Sequence, residues 1–167
     1  DFLITAPDHY PVVSNGEKIK ETNLPNHLKL THWKENIPLP TKIMVIGVTN
    51  FAVNHFADVD CIPVSSWVYP ENKDSGFKHY AIAKNSLKWY IKEIGSYAYE
   101  KLANVQSKTI FGGMENAGCI FYFENSVNDK GIESLFAHEI AHQWFGDQVT
   151  EKDWPHLWLS EGFATYL

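Results

Sequence analysis

The sequence predicts an α+β fold in which a β-rich part precedes a part that mixes helices with strands. Short apolar runs broken by five prolines fill residues 1–57, as is typical of strands and turns. A helical recurrence of apolar side chains begins near Asp74, and two further helical patterns close the chain. We therefore predict two modules, residues 1–58 and residues 59–167, with the change of pattern as the boundary.

Strands in the first module are predicted by short apolar runs and by one turn motif. Asn15-Gly16 lies between two of these runs and indicates a tight turn, because both residue types tolerate left-handed backbone conformations. A further strand is expected near Trp67–Tyr69, early in the second module. The runs of the first module are "DFLIT", "YPVVS", "HLKLTHW", "KIMVIGV" and "FAVNHF".

Helices and a glycine-containing strand are predicted for the second module. One helix is expected to begin at Asp74 or Ser75 and to run to about Ile94, where Gly95 ends it. "YAYEKLANV" predicts a shorter helix, and "SKTIFGGMENAGCIFYFEN" predicts a return to strand structure. "ESLFAHEIAHQWF" and "HLWLSEGFATYL" predict the last two helices, which are separated by a loop that begins with Gly146.

Composition excludes several classes of protein. The chain of 167 residues is 44% hydrophobic and 14% aromatic, which is typical of a packed globular protein. The net charge of −6 and the lack of a basic cluster interleaved with aromatic residues argue against nucleic-acid binding. No apolar run approaches about 18 residues, so no membrane span is predicted. Because the sequence starts without Met and stops within a helical pattern, we expect a fragment of a longer protein and leave its compartment open.

The motif His138-Glu139-x-x-His142 predicts a metal site. Positions four apart lie on one face of a helix, about 6 Å from each other, so both imidazoles can point at a common atom. Zn²⁺ fits such a pair, and Glu139 would lie beside whatever the two histidines hold. Two ordinary histidines on a half-buried helix are the alternative that this motif alone leaves open.

A third metal ligand is predicted in the last helix, where Glu161 follows eighteen residues after His142. Two helices joined by a loop can pack so that Glu161 faces the histidine pair and completes a set of two histidines and one glutamate. Its apolar neighbours Trp158 and Phe163 suggest a setting in which an unpaired carboxylate would be costly to bury. The alternative is an ordinary solvated glutamate.

The segment "FGGMENAG" predicts a second functional feature. Glycines in a strand allow another backbone to approach closely, and an edge strand can pair with an extended peptide through main-chain hydrogen bonds. Glu115 in such a strand could meet the α-ammonium group of a peptide. A glycine bulge with an exposed glutamate is the alternative.

Together these motifs resemble those of the zinc aminopeptidases of the aminopeptidase N and leukotriene hydrolase family. The resemblance rests on "GGMEN", on the histidine motif and on the glutamate eighteen residues later, and "TAPDHYPVVSNG" and "YEKLANVQ" extend it over nearly the whole chain. It implies that residues 1–58 end an N-terminal β-sandwich domain and that residues 59–167 begin a thermolysin-like metallopeptidase domain. Helical domains of the same full-length chain would follow.

The resemblance also implies a role for each motif residue. Glu139 would act first as general base and then as general acid, and Glu115 would hold the substrate amine. One Zn²⁺ per chain would be bound by His138, His142 and Glu161. The residues expected along the substrate peptide are Gly112, Gly113, Met114, Glu115 and Asn116.

One departure from the family pattern, and one family residue expected outside these 167 residues, qualify this expectation. Ser160 stands where the family usually has Asn, immediately before the third ligand. The tyrosine that stabilises the oxyanion in the family is expected beyond Leu167, so the 167 residues alone should be poorly active.

The function that follows is that of a zinc metallo-aminopeptidase, which hydrolyses the N-terminal residue from peptides with a free N-terminus through a zinc-activated water. A thermolysin-like endopeptidase would use the same metal ligands, but it would need no amine anchor. A hydrolase of lipid epoxides would share every motif. A non-catalytic peptide-binding homologue would have no use for Glu139.

Overall fold

The structure, a computed structural model, describes residues 1–56 and 58–167. These residues form a mixed α+β fold, as the sequence predicts. The division at residues 58 and 59 into a β-sandwich and a thermolysin-like domain stays a prediction.

Five strands of the β-rich part form two small sheets. In the larger sheet β4 lies between β1 and β3, and both of its pairings are antiparallel. In the smaller sheet β2 pairs with β5. The strands β1 to β5 are Phe2–Pro7, Val12–Ser14, Glu17–Leu24, Leu28–Lys34 and Ile46–Val48.

The predicted turn at Asn15-Gly16 is present, but the strands that it joins belong to different sheets. Gly16 has a φ of +74°, and a Cβ there would lie 2.0 Å from the carbonyl oxygen of Lys34. Only glycine therefore fits this position. The run "KIMVIGV" forms a strand over Ile46–Val48 alone, because Thr41–Ile43 is a 3₁₀ turn that buries Ile43.

A five-stranded mixed sheet is the centre of the remaining structure, and its strand order is β6-β7-β8-β10-β9. The pairings of β7 with β8 and of β8 with β10 are parallel, while the two outer pairings are antiparallel. This order leaves β9 at an edge. The strands β6 to β10 are Ala52–His55, Val64–Val68, Leu102–Ser107, Gly113–Met114 and Cys119–Phe123.

The short helix predicted from "YAYEKLANV" is wrong, because Leu102–Ser107 is the central strand β8. Alternate side chains of β8 enter two different cores: Leu102 belongs to the main core, whereas Ala103 and Val105 pack on the opposite face of the sheet. Pairing with neighbours on both sides and burial on both faces override the helical pattern of the local sequence.

Four α-helices are present among the described residues. The single helix predicted from Asp74 or Ser75 to Ile94 is in fact two helices, because tighter i to i+3 hydrogen bonds at Ile82 and Lys84 interrupt it. None of the described helices has the length and apolarity needed to cross a membrane. The helices α1 to α4 are Lys73–Tyr80, Ala83–Glu93, Ile132–Ala141 and Trp158–Tyr166.

Asn15 and Lys101 are among the side chains that connect the β-rich part to the central sheet. The Asn15 amide donates to the carbonyl oxygens of Ile43 and Ala117, at 3.0 and 2.8 Å. The Lys101 ammonium donates to the carbonyl oxygens of Ser14 and Gly16, at 2.7 and 2.6 Å. Burial lowers the pKa of Lys101, which precedes β8 directly.

Candidate metal and substrate site

The histidine motif lies at the carboxyl end of α3, and the core orients it. Ile132, Phe136 and Ile140 are buried in the main core and fix the rotation of the helix. His138 and His142 point away from that core so that their Nε2 atoms lie 3.1 Å apart. His142 itself is only 1% exposed. The i, i+4 spacing thus brings both imidazoles to one point.

Glu161 in α4 faces this pair. Its Oε2 atom lies 3.4 Å from Nε2 of His138 and 3.5 Å from Nε2 of His142. An ion bound tetrahedrally at about 2.0–2.1 Å from each ligand would separate the ligand atoms by about 3.3 Å. The three observed separations are close to this value, and the donor set of two imidazoles and one carboxylate suits Zn²⁺.

A hydrogen bond on the far side of the ring sets the tautomer of His142. Its Nδ1–H donates to the carbonyl oxygen of Phe145 and to Oγ of Ser160, both at 3.0 Å. The Nε2 lone pair is therefore free to bind a metal. For His138, burial and the neighbouring His142 lower the pKa of the imidazole, which favours the neutral form that metals bind.

The exposure of α4 differs from what the sequence suggests. Trp158 is 61% exposed and Phe163 is 40% exposed among the described residues, and the side chain of Glu161 is 49% exposed. Glu161 is therefore not buried, and the expectation that burial would require a partner for it is wrong. Its two close imidazole contacts are the observation that links it to the site.

Glu139 lies one step further along α3 from His138 and is buried, at 5% exposure. Burial, together with the carboxylates of Glu115 and Glu161, raises the pKa of its carboxyl group to about 8. A carboxyl oxygen of Glu139 lies within 4.8 Å of a ligand atom of both Glu115 and His142. The predicted general base thus lies close to both the predicted amine anchor Glu115 and the histidine pair.

The two glycines before Met114 have different surroundings. A Cβ at Gly113 would lie 2.3 Å from the carboxyl group of Glu139, so the Glu139 side chain would have to move. A Cβ at Gly112 would make only an ordinary contact, 3.5 Å from Leu135. Gly113 therefore makes room for Glu139, a reason for glycine that the sequence does not reveal.

The segment that carries Glu115 runs along the edge of the central sheet. Gly113 and Met114 form the edge strand β9, which pairs with β10. Glu115 follows the strand directly, and a turn closes behind it through a hydrogen bond from the Asn116 N–H to the Met114 carbonyl oxygen, at 2.8 Å. This geometry places the Glu115 carboxylate beside the site and leaves the outer edge of β9 open to an extended ligand.

Some residues that shape the site are not part of the predicted set. Ser160, noted above only as a departure from the family pattern, contacts the ring of His142. Gln143 joins the end of α3 to the segment that carries Glu115. Because Gln143 directly follows a predicted ligand, its position in the sequence was the one available indication of a supporting role.

Comparison with known proteins identifies a family and several relatives of this chain. The profile of the "Peptidase family M1 domain" matches residues 79–167, more than half of the chain. Glutamyl aminopeptidase of Homo sapiens is 30% identical over 180 residues, which cover 98% of this chain and 18% of that protein. Tricorn protease-interacting factor F2 of Thermoplasma acidophilum is 35% identical over 153 residues, which cover 83% of this chain and 19% of that protein. The chain thus spans about a fifth of the length of these relatives.

Proposed function

The chain belongs to peptidase family M1, and from this membership we propose that the full-length protein is a zinc aminopeptidase that removes the N-terminal residue from peptides. The convergence of three ligand atoms, with two further carboxylates beside them, is the observation that carries the proposal. We assign residues 59–167 to a thermolysin-like catalytic domain and residues 1–58 to the end of a β-sandwich.

We assign the metal ligands to His138, His142 and Glu161, with one Zn²⁺ per chain. When bound, Zn²⁺ polarises a substrate carbonyl and lowers the pKa of water. The hydrogen bond of His142 to Phe145 holds the ring in the orientation that ligation needs.

Glu139 has the position expected of a general base. Its carboxyl group is buried, lies beside the histidine pair and is confined by the close approach of Gly113. We assign to it the transfer of a proton from the attacking water to the nitrogen of the leaving peptide. A carboxylate held in this way needs little reorganisation during the reaction.

Glu115 is assigned to the α-ammonium group of the substrate. An ionised carboxylate and an ammonium group form a charge-assisted hydrogen bond, worth roughly 1.5–3 kcal/mol. The substrate backbone would pair with the open edge of β9 at Gly113 and Met114, while Gly112 and Asn116 shape the ends of that edge. The amine anchor then restricts cleavage to the first peptide bond.

The decisive experiment measures metal content and terminal specificity on the full-length protein. We expect one zinc per chain and cleavage of glutamyl, leucyl and lysyl anilides with free amines, whereas the N-acetylated anilides are left intact. Because the names of the relatives include glutamyl aminopeptidase, the glutamyl substrate belongs in the panel. Internal cleavage of a peptide blocked at both ends would instead identify an endopeptidase, and zinc binding without any cleavage would identify a non-catalytic homologue.

A further inference from the structure

Gln143 directly follows His142 at the end of α3, yet its side chain turns away from the metal ligands. It is 1% exposed. Its Nε2 group donates to the backbone carbonyl oxygen of Glu115 at 3.0 Å and to Oδ2 of Asp147 at 2.9 Å. Its Oε1 atom accepts a hydrogen bond from the backbone N–H of Gly118 at 2.8 Å. One amide therefore joins the metal-binding helix to both ends of the segment that follows β9.

This arrangement uses the full donor capacity of the amide. Both N–H groups of Gln143 donate, and its oxygen accepts from Gly118 and, at 3.4 Å, from the hydroxyl group of Tyr97. Any other rotamer would leave buried polar groups without partners, at a cost of about 1–3 kcal/mol for each group. The side chain is therefore fixed, and it fixes the backbone of Glu115.

We propose that Gln143 is a positioning residue that sets the distance between the amine anchor Glu115 and the histidine pair, an inference that rests on the proposed function. Glu115 lies beyond the last residue of a strand that is only two residues long. The strand pairing alone therefore fixes its position weakly. The bond to Gln143 ties the Glu115 carbonyl to the residue next to His142.

The chemistry of an aminopeptidase makes this distance important. In every peptide the α-nitrogen and the carbonyl carbon of the first residue are about 2.5 Å apart, because two covalent bonds and one angle join them. A site that holds both groups must therefore keep the anchor and the metal at a matching separation. A displacement of about 1 Å can cost about 100-fold in rate.

The test combines substitutions of Gln143 with a matched control. Gln143→Met removes the donors and the acceptor, whereas Gln143→Glu keeps the shape of the side chain and the acceptor for Gly118. The control is Gln106→Met. Gln106 is also 1% exposed and also joins two backbone segments, since it accepts from the Tyr69 N–H and donates to the Glu124 carbonyl oxygen, both at 2.7 Å. It lies outside the site, so its loss imposes a similar structural cost without moving Glu115.

Each variant of the full-length protein is made in the wild-type background and in a Glu115→Ala background. Zinc content and melting temperature are measured for all of them, and rates are compared at a temperature where all are folded. In the wild-type background, both changes at Gln143 should lower kcat/KM on a free-amine anilide by about tenfold or more. In the Glu115→Ala background the same changes should cost less than about twofold, because the anchor that Gln143 positions is already absent.

Gln106→Met should change kcat/KM by less than about twofold in both backgrounds. The inference would be overturned if Gln143→Glu lowered kcat/KM equally with and without Glu115. It would also be overturned if Gln106→Met lowered kcat/KM as much as the Gln143 variants do. Failure of the proposed function would look different, because the wild-type protein itself would then not cleave free-amine substrates.

Discussion

The two helices that supply the proposed metal ligands differ in how the rest of the described chain packs around them. Half of the ten residues of α3 are buried, and Phe136, Ile140 and Ala141 have no exposed surface. In α4 only Ser160 and Ala164 are buried, while most of the helix faces solvent. The site therefore joins a ligand pair held by a core to a third ligand held by few contacts. Core packing holds α3 in place, whereas hydrogen bonds between Ser160 and both His142 and Phe145 help to hold α4.

The difference in packing should appear most directly in stability. Phe136→Ala should lower the free energy of unfolding by about 3–5 kcal/mol, because Phe136 is fully buried and stacks on Tyr122 with ring centroids 4.0 Å apart. Phe163→Ala should cost less than about 1.5 kcal/mol, because Phe163 is 40% exposed among the described residues and its ring stacks on that of Phe145. Denaturant unfolding of the full-length variants measures both. An equal cost for the two would mean that other parts of the full-length protein pack over α4.

The proposed role of Glu139 as general base can be tested separately from metal binding. Glu139→Gln should lower kcat by about 1,000-fold while zinc content stays at one per chain, because an amide cannot accept the proton of water. Glu133→Gln is the control, since Glu133 is an exposed residue on the same helix. Steady-state kinetics measures kcat of both variants, and elemental analysis measures their zinc content. Loss of zinc in the Glu139 variant would make this residue a ligand or a structural support.

Removing ligands from the two helices should have equal effects on zinc and unequal effects on the protein. His142→Ala and Glu161→Ala should each weaken zinc by more than about 100-fold, since three protein ligands leave little redundancy. In the metal-free state, the His142 variant should melt at a lower temperature, because it opens a cavity at a buried position. The Glu161 variant should melt like the wild type. A chelator titration and thermal melts without metal test this, with His156→Ala, at an exposed position, as control.

The smallest effect concerns a contact between the edge strand and α3. Gly113→Ala should lower kcat/KM by about tenfold, because the added methyl group displaces the carboxyl group of Glu139. Gly112→Ala is the matched control, and it should change kcat/KM by less than about threefold, since its methyl group makes only an ordinary contact with Leu135. A reversed order of the two variants would show that Gly112, and not Gly113, limits access to the site.

Features set by local sequence patterns could be predicted, whereas features set by contacts between distant parts of the chain could not. The histidine motif and α3 were predictable, because their helical spacing and the spacing of the metal ligands are both local. The strand β8 was not, because its burial depends on neighbours from distant parts of the chain. The break between α1 and α2 also escaped prediction, since no proline or glycine marks Ala81 or Ile82.

Within the site, pairs of residues far apart in sequence were the least predictable. The close contact that a side chain at position 113 would make with Glu139 is visible only once the edge strand lies against α3. Likewise, Gln143 can be recognised as a link only when its amide is seen beside the carbonyl group of Glu115. Sequence spacing indicates candidate residues for the chemistry, whereas tertiary contacts identify the residues that hold those candidates in place.

The link through Lys101 has a consequence for dividing the protein. Its ammonium group is buried, and it donates to carbonyl oxygens of Ser14 and Gly16 while it lies 4.7 Å from the ring centroid of Trp33. Residues 59–167 expressed by themselves would expose the surface where these partners dock and leave the ammonium group without them. A protein that begins at residue 59, the proposed domain boundary, would therefore be a poor starting point for crystallisation. The amino-terminal residues cover that surface and should be expressed together with residues 59–167.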